Sequence, residues 1–242
     1  YWNYGGDEER KNLAPQVEGL LWSQVNSNRS RSVRSAFYAS YRKLALSEEA
    51  TARLERLWLE EESVEGLPLS EPDQIALASG LALRGLSNAE DILDQQRQRI
   101  QNPDRLARFD FVRPALSSNL AIRKAFFHFL AQAENRNREA WVLNGLQYLH
   151  HPLRAADSIE FIQPALKLLT EIQATGDIFF PGRWLDVNLG GHNSIDAADI
   201  VTEFLNNSES LSPRLRLKVQ QSADKLFRSA SLIYGWAPNR AR

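Results

Sequence analysis

The stretch SPRLRLKVQQSADKLF, residues 212–227, carries the pattern that decides the fold class. Its apolar residues recur in steps of three and four: Leu215, Val219, Ala223 and Leu226. That spacing places them on one face of an α-helix, whereas a strand would need steps of two. The Ser212-Pro213 pair precedes them, and proline is common in the first turn of a helix. The stretch therefore predicts an amphipathic helix.

The same spacing recurs elsewhere in the chain. One further set is predicted to share a helical face: Ile122, Phe126, Phe129 and Leu130. We find no convincing strand with a period of two. DIFFPGRWL, residues 177–185, is the only run that resembles a strand, and Pro181 interrupts it. The fold class is predicted to be all-α.

Start and stop signals agree with this interpretation. Ser, Thr, Asp and Asn satisfy free N–H groups at helix starts, and glycine readily ends a helix. Predicted starts are Ser47 before Glu48 and Glu49, Ser70 with Asp73, Ser87 with Glu90, and Asn102-Pro103, while Pro72 fits a first turn. Gly85 and Gly176 fit helix ends, and Pro164 should start or kink a helix.

These signals predict roughly a dozen helices of about 12 to 18 residues, with short connections that favour antiparallel neighbours. FVRPAL (111–116) and FIQPAL (161–166) are similar segments and could mark an internal repeat. Their separation is close to the period of about 40–47 residues seen in HEAT-type helical pairs. We predict one domain over residues 1–242, a HEAT-like solenoid of antiparallel helix pairs.

Composition excludes several classes of protein. The chain has 242 residues and a formal net charge of -1, which does not favour nucleic acid as a partner. No apolar run approaches the ~18 residues of a membrane helix. Cysteine is absent, so disulfides and thiol chemistry are excluded. Methionine is absent too, even at position 1, which suggests an internal or C-terminal segment of a longer protein.

HHPLRAADS, residues 150–158, is the first candidate for chemistry, because histidine is the commonest metal ligand and base. Adjacent helical residues point about 100° apart, so His150 and His151 should not converge on one metal. The helical zinc motif His-Glu-x-x-His does not occur in the chain. We favour packing for these histidines, with His151 just before a helix that has Pro152 in its first turn.

Two other stretches are candidates for binding. FFPGRWLDVNLGGH (179–192) could line a binding surface, or its aromatic residues could be core and its Gly-Gly pair a helix end. QQRQRIQNPDRLARFD (95–110) is best interpreted as a solvated charged face. No Gly-x-Ser-x-Gly motif or phosphate loop occurs, so no catalytic set is visible.

Three blocks resemble the C-terminal helical domain of bacterial M1-family zinc aminopeptidases, in their order and spacing as well. The blocks are NPDRLARFDFVRPALS (102–117), REAWVLNGLQYLHHPLRAADS (138–158) and TGDIFFPGRWLD (175–186). A weaker likeness begins at EGLPLSEPDQIALASGLALRG (65–85) and extends to the last helix.

The resemblance implies a parent enzyme that removes N-terminal residues from peptides. In that family zinc is held by His-Glu-x-x-His and a downstream glutamate in a separate catalytic domain, and the helical domain closes a chamber over it. None of these motifs is present here, so no catalytic or metal-binding residue is expected in this segment, and no cofactor. The expected partners are the catalytic domain of the same polypeptide and peptide substrates.

Arg154 and Arg183 lie in the resembling blocks and are the candidates for facing that chamber. A guanidinium can grip a peptide carboxylate through two parallel hydrogen bonds. The alternative, which we favour, is that both only pair with nearby acids such as Asp157 and Asp186. Two other interpretations of the chain remain: a free-standing HEAT-like scaffold that binds a protein, and an enzyme with a site at His150, His151 and nearby acids.

Overall fold

The computed structural model describes residues 1–27, 30–209 and 211–238. Every regular element in those ranges is helical, and none of these residues lies in a strand. The predicted all-α class is therefore confirmed. No helix in these ranges combines the length and the apolar character that crossing a membrane would require.

The chain divides into two compact units, and each has its own apolar core. The first unit contains Gly5–Asp110 together with Tyr1, and the second contains Phe111–Arg242 together with Trp2–Tyr4. The assignment of residues 1–242 to one domain stays a prediction.

The first unit is built from helices that pack in sequence order. They are α1 (Asp7–Val25), α2 (Arg31–Leu44), α3 (Glu48–Trp58), α4 (Glu71–Leu83) and α5 (Ala89–Arg99), followed by α6 (Pro103–Leu116), within which the division between the units falls. Helix α1 packs along α2, and α4 packs against both α3 and α5. Tyr41, Leu54, Leu57, Leu77 and Leu81 are fully buried between them, which gives this unit its core.

The second unit contains helices of widely differing length around a larger core. They are α7 (Leu120–Leu130), α8 (Glu139–Leu149), α9 (Ala155–Ser158), α10 (Ile162–Lys167), α11 (Leu169–Thr175), α12 (Phe180–Leu189), α13 (Ile195–Asn207) and α14 (Pro213–Tyr234), with 3-10 turns at Ala133–Arg136, Pro152–Arg154 and Ile159–Phe161. Helix α14 packs against α12 and α13, and α12 also packs against α8. Helix lengths therefore vary more widely than predicted.

Most predicted helix boundaries are confirmed. Ser47, Ser70 and Ser212 precede α3, α4 and α14. The side chains of Ser47 and Ser212 accept from a backbone N–H of the first turn, whereas Ser70 donates its N–H and its hydroxyl to Asp73. Asn102 precedes α6, and Gly85 follows α4 with a φ of 70°. One start is wrong. Helix α5 begins after Asn88 and has no side-chain cap, so Ser87 and Glu90 form no capping box.

The predicted apolar faces are confirmed in one helix and half wrong in another. Leu215, Val219, Ala223 and Leu226 all point into the core from α14. In α7, Phe126 and Leu130 are buried, but Ile122 and Phe129 are 44% and 45% exposed. The inward face of α7 instead includes Phe127 and the guanidinium-bearing Arg123, which is only 3% exposed. The helix is therefore rotated relative to the prediction.

A buried arginine explains that rotation. Nη1 of Arg123 donates to the carbonyls of Ser117 and Ser118 just after α6, and Nη2 donates to Asp157 at 2.8 Å. Carbonyls at a helix C-terminus have no partner within the helix and carry partial negative charge, so a buried cation is stabilised there.

The same arrangement recurs at other helix ends. Arg136 donates to the carbonyls of Leu130 and Ala131 at the end of α7 and also pairs with Glu171. Arg216 donates to the carbonyls of Leu205 and Ser208 at the end of α13. In the first unit, Arg84 performs this role for α2. Arginine side chains thus bind the C-terminal carbonyls of α2, α6, α7 and α13.

Candidate functional site

The two adjacent histidines lie between helices rather than on one. His150 is the C-terminal cap of α8. His151 is the N-terminal cap of the 3-10 turn Pro152–Arg154, and its Nδ1 accepts a hydrogen bond from the Leu153 N–H at 3.3 Å. The indole of Trp2 packs edge-on against the His151 ring, with centroids 5.4 Å apart. The prediction that His151 precedes a helical turn containing Pro152 is confirmed.

His150 has a partner that the sequence did not indicate. Its Nδ1 lies 2.8 Å from Nε2 of His192, and both side chains are only 1% exposed. One ring must donate the proton and the other accept it, so at least one is neutral. Burial lowers the pKa of His192 to about 4 and lowers that of His150 well below its usual value. The proximity of His192 is a second cause of the shift in His150.

The surroundings of this pair are those of a core, not of a reactive site. The ring of Phe161 lies edge-on to His150, with centroids 6.2 Å apart. Gly191 packs so closely that a Cβ on it would overlap the carbonyl oxygen of His150. No three His, Cys, Asp or Glu side chains come together as a possible metal site in the described part of the chain. The pair is best described as an interior hydrogen bond.

Arg154 is one of the two predicted chamber residues, and its contacts are with the backbone. It is 7% exposed. Nη1 donates to the carbonyl of Ala115 and Nη2 to that of Leu116, both at 2.7 Å. These are the last two residues of α6. Since both terminal nitrogens are engaged with the protein interior, Arg154 is placed to hold the end of that helix.

Arg183, the other predicted residue, is exposed on the first turns of α12. Its guanidinium carbon lies 5.7 Å from the centroid of the Phe179 ring, within range of a cation–π contact. Phe179 is 63% exposed and Ile178 is 66% exposed. We call Ile178, Phe179 and Arg183 the α12 patch. Asp186, suggested as a partner of Arg183, instead accepts a hydrogen bond from Ser222.

A small cleft adjoins the α12 patch. It has a volume of about 230 Å³, and its lining residues are Gln173, Asp177, Ile178, Pro181, Arg214 and Lys218. Asp177 caps the start of α12, because its Oδ1 accepts from the N–H groups of Phe179 and Phe180. Those hydrogen bonds, helped by the charge of Arg183, hold the pKa of Asp177 below its usual value. The cleft thus combines one fixed carboxylate with two basic side chains.

The stretch 179–192 divides between core and surface. Phe180 and Trp184 are fully buried, and the Trp184 indole donates to the carbonyl of Ala165 at 3.1 Å. Gly190 caps the end of α12. Phe180 and Trp184 are therefore core residues and Gly190 is a helix end, rather than parts of a binding surface. The strand-like run 177–185 is mainly helical, because Pro181 occupies the first turn of α12, where its missing N–H costs nothing.

The charged run 95–110 lies in the first unit and is largely solvated. Arg97 pairs with Asp110 through two hydrogen bonds of 2.7 and 2.8 Å, and Arg105 pairs with Glu71. Ile100 and Phe109 are buried apolar residues of this run, and Gln96 is a polar residue of the run that is fully buried. Its Oε1 accepts from the indole of Trp58 at 2.7 Å, and its Nε2 has no hydrogen-bond partner among the residues that the structure describes.

Gln96 also lines an open cleft of about 530 Å³, which we call the Gln96 cleft. Its other lining residues are Leu59, Glu60, Leu69, Glu71, Gln74, Arg99 and Gln101. This volume falls within the usual range for small-ligand sites, about 300–1,000 Å³. No local sequence motif predicts this cleft, because its residues come from the end of α3, from α4 and from α5.

No model of a known protein family matches this chain, and no curated protein matches it in sequence.

Proposed function

We propose that this chain is the C-terminal helical domain of an M1-family zinc aminopeptidase. In this proposal the helices pair as an antiparallel, HEAT-like solenoid that closes the catalytic chamber of the parent enzyme. The zinc and all catalytic residues belong to the catalytic domain of the same polypeptide, and the substrates are short peptides. The proposal starts from the three resembling blocks, and one structural observation supports it.

That observation is the way hydrogen bonds join the blocks inside the second unit. Arg154, in the block 138–158, holds the carbonyls of Ala115 and Leu116 in the block 102–117. Glu139, in the same middle block, accepts from the N–H of Asp177 in the block 175–186 at 2.8 Å. Residues that carry the resemblance are thus also the residues that hold this unit together, as expected of a family's structural signature.

The solenoid is supported by two repeated arrangements. In FVRPAL (111–116) and FIQPAL (161–166), the second, fifth and sixth residues are buried in both copies. Arg123 and Arg136 each hold two carbonyls five and six residues earlier, and each pairs with an acid 34 or 35 residues later. Repeated burial and repeated capping are what stacked helical units need.

Within this proposal, the α12 patch is where the domain contacts peptide. Arg183 is exposed and has its guanidinium beside an exposed aromatic ring, so it can donate hydrogen bonds to a carboxylate. Arg154 is engaged with backbone carbonyls, so we assign it a structural role. A peptide held by its N-terminus at zinc would present its distal carboxylate to Arg183.

The test is a comparison of substrates in the full-length enzyme. Arg183→Ala should lower kcat/KM about tenfold for a tripeptide, because a hydrogen bond to a charged group contributes roughly 1.5–3 kcal/mol. It should leave kcat/KM unchanged for an aminoacyl amide, which lacks the distal carboxylate. Arg228→Ala is the matched control, since Arg228 is an exposed arginine on α14.

Two outcomes would overturn the proposal. Equal losses on both substrates would remove the peptide contact from Arg183. A parent reading frame without His-Glu-x-x-His upstream of this segment would remove the aminopeptidase assignment and leave the free-standing scaffold. Arg154→Ala should reduce activity on both substrates together and lower Tm, because its guanidinium is buried.

A further inference from the structure

Two buried polar atoms at the Gln96 cleft have no hydrogen-bond partner within the described ranges of the chain. One is Nε2 of Gln96, a donor, and the other is Oε1 of Gln74, an acceptor. Buried polar groups are nearly always hydrogen-bonded, so each unsatisfied one needs an explanation. Both residues line the same cleft, and they come from neighbouring helices, α5 and α4.

The orientation of each amide is fixed by its other end. The indole N–H of Trp58 can only donate, so the oxygen of Gln96 must face it and the NH2 group must face elsewhere. The NH2 group of Gln74 approaches the carboxylate of Glu60 at 3.5 Å, which turns its oxygen away from Glu60. The wall of the cleft therefore carries a buried donor on α5 and a buried acceptor on α4, neither of which has a partner among the described residues.

We propose that the Gln96 cleft binds an amide group of an extended peptide. An amide carries its acceptor oxygen and its donor N–H on opposite edges, which suits partners on two different helices. A ligand carboxylate would satisfy Gln96, but it would meet the oxygen of Gln74 and the carboxylates of Glu60 and Glu71. An ammonium group would satisfy Gln74 and leave Gln96 unpaired.

The rest of the lining fits a peptide. Leu59 and Leu69 supply apolar surface for side chains, and Leu59 is 39% exposed. Arg99 is held over the Trp58 ring, 4.5 Å from its centroid, and donates to the Trp58 carbonyl. That contact fixes the wall of the cleft next to Gln96. This inference uses only residues of the first unit and does not depend on the proposed function.

The experiment is a titration of the full chain with an uncharged probe, N-acetyl-alanyl-alanine N-methylamide. Side-chain amide signals in a ¹H–¹⁵N spectrum report the contacts directly. We expect saturable shifts of the Gln96 and Gln74 NH2 signals and no shift for Gln98, which is exposed on the same helix as Gln96. The ester analogue, which lacks the central N–H, should bind about tenfold more weakly, as for one lost hydrogen bond.

Two variants separate the contacts. Gln96→Glu keeps an oxygen for the Trp58 indole and removes the NH2 donor, so it should weaken binding about tenfold, while Gln98→Glu controls for the added charge. Gln74→Met removes the acceptor, so it should bind the amide and ester probes equally. This second variant tests the proposal even if Gln96→Glu does not fold.

Three results would overturn the inference. They are the absence of saturable shifts with the amide probe, equal probe affinity in the original chain and in both cleft variants, and binding of maltose with the same signals shifted. The last result would assign the cleft to hydroxyl-bearing ligands.

Discussion

His150 and His192 share a hydrogen bond of 2.8 Å between Nδ1 and Nε2, although 42 residues separate them in the chain. Both rings are buried and the pKa of each is lowered by burial. The folded chain therefore holds them neutral at pH values where the unfolded chain would protonate them.

Stability should fall in acid for this reason. A histidine whose pKa is lowered by folding contributes its full stability above its unfolded pKa of 6.5 and loses it as the pH decreases below that value. Each histidine should lower the free energy of unfolding by up to about 1.4 kcal/mol per pH unit below 6.5, and for His192 this continues to about pH 4. Urea unfolding at a series of pH values measures the slope.

His192→Gln should reduce that slope by about half, because the glutamine amide reaches roughly the position of Nε2 and does not titrate. His128→Gln is the matched control, since His128 is exposed on α7. Equal pH slopes in the original chain and in His192→Gln would show that the buried pair does not carry the effect.

Gly191 should tolerate no side chain. A Cβ at this position would overlap the carbonyl oxygen of His150, so Gly191→Ala should lower the free energy of unfolding by about 3 kcal/mol or more. Gly182→Ala is the control in the neighbouring helix. A Cβ there meets nothing within 4 Å, and alanine should stabilise the helix by about 0.5–1 kcal/mol. Denaturant midpoints that move in the same direction would contradict this prediction.

Removal of the Arg123 guanidinium should lower the stability of the fold, because buried carbonyl groups would lose their hydrogen-bond donor. Arg123→Met would strip the Ser117 and Ser118 carbonyls of this donor, at a cost of about 2–3 kcal/mol. Arg228→Met removes an exposed pair with Asp224 and should cost less than about 1 kcal/mol. Chemical denaturation distinguishes the two, and similar losses would mean that the buried carbonyls find water instead.

Ser70 and Ser87 should differ although both were predicted as helix caps. Ser70→Ala removes the capping box of α4 and should cost about 1 kcal/mol. Ser87→Ala should change stability by less than about 0.5 kcal/mol, because α5 begins after Asn88 without a side-chain cap. An equal loss of stability in Ser87→Ala and Ser70→Ala would show that Ser87 caps α5, as the sequence predicted.

The contrast between these serines shows what the sequence can predict. A capping box joins residues three apart, so a local pattern contains all of it, as at Ser70 and Asp73. The helical class follows from apolar spacing in the same way. The rotation of α7 could not be predicted from its own sequence. Arg123 is buried because it donates hydrogen bonds to carbonyls that precede the helix and to Asp157, 34 residues away.

The candidate sites depend still more on distant contacts. His150 finds His192, and Gln96 finds Trp58, across about forty residues of chain. Arg183 could be proposed as exposed from the sequence, but the burial of Arg154 depends on where α6 ends. The resembling blocks single out Arg154 and Arg183, but the sequence of the blocks does not show which of the two side chains faces the interior.

The end of α6 has a consequence for chain cleavage. Four consecutive carbonyls, from Ala115 to Ser118, accept hydrogen bonds from Arg154 and Arg123. Both arginines follow the connection to α7 in the chain. A protease that cut between Ser118 and Asn119 would therefore leave the two fragments clamped together, and the nick would be visible only after denaturation.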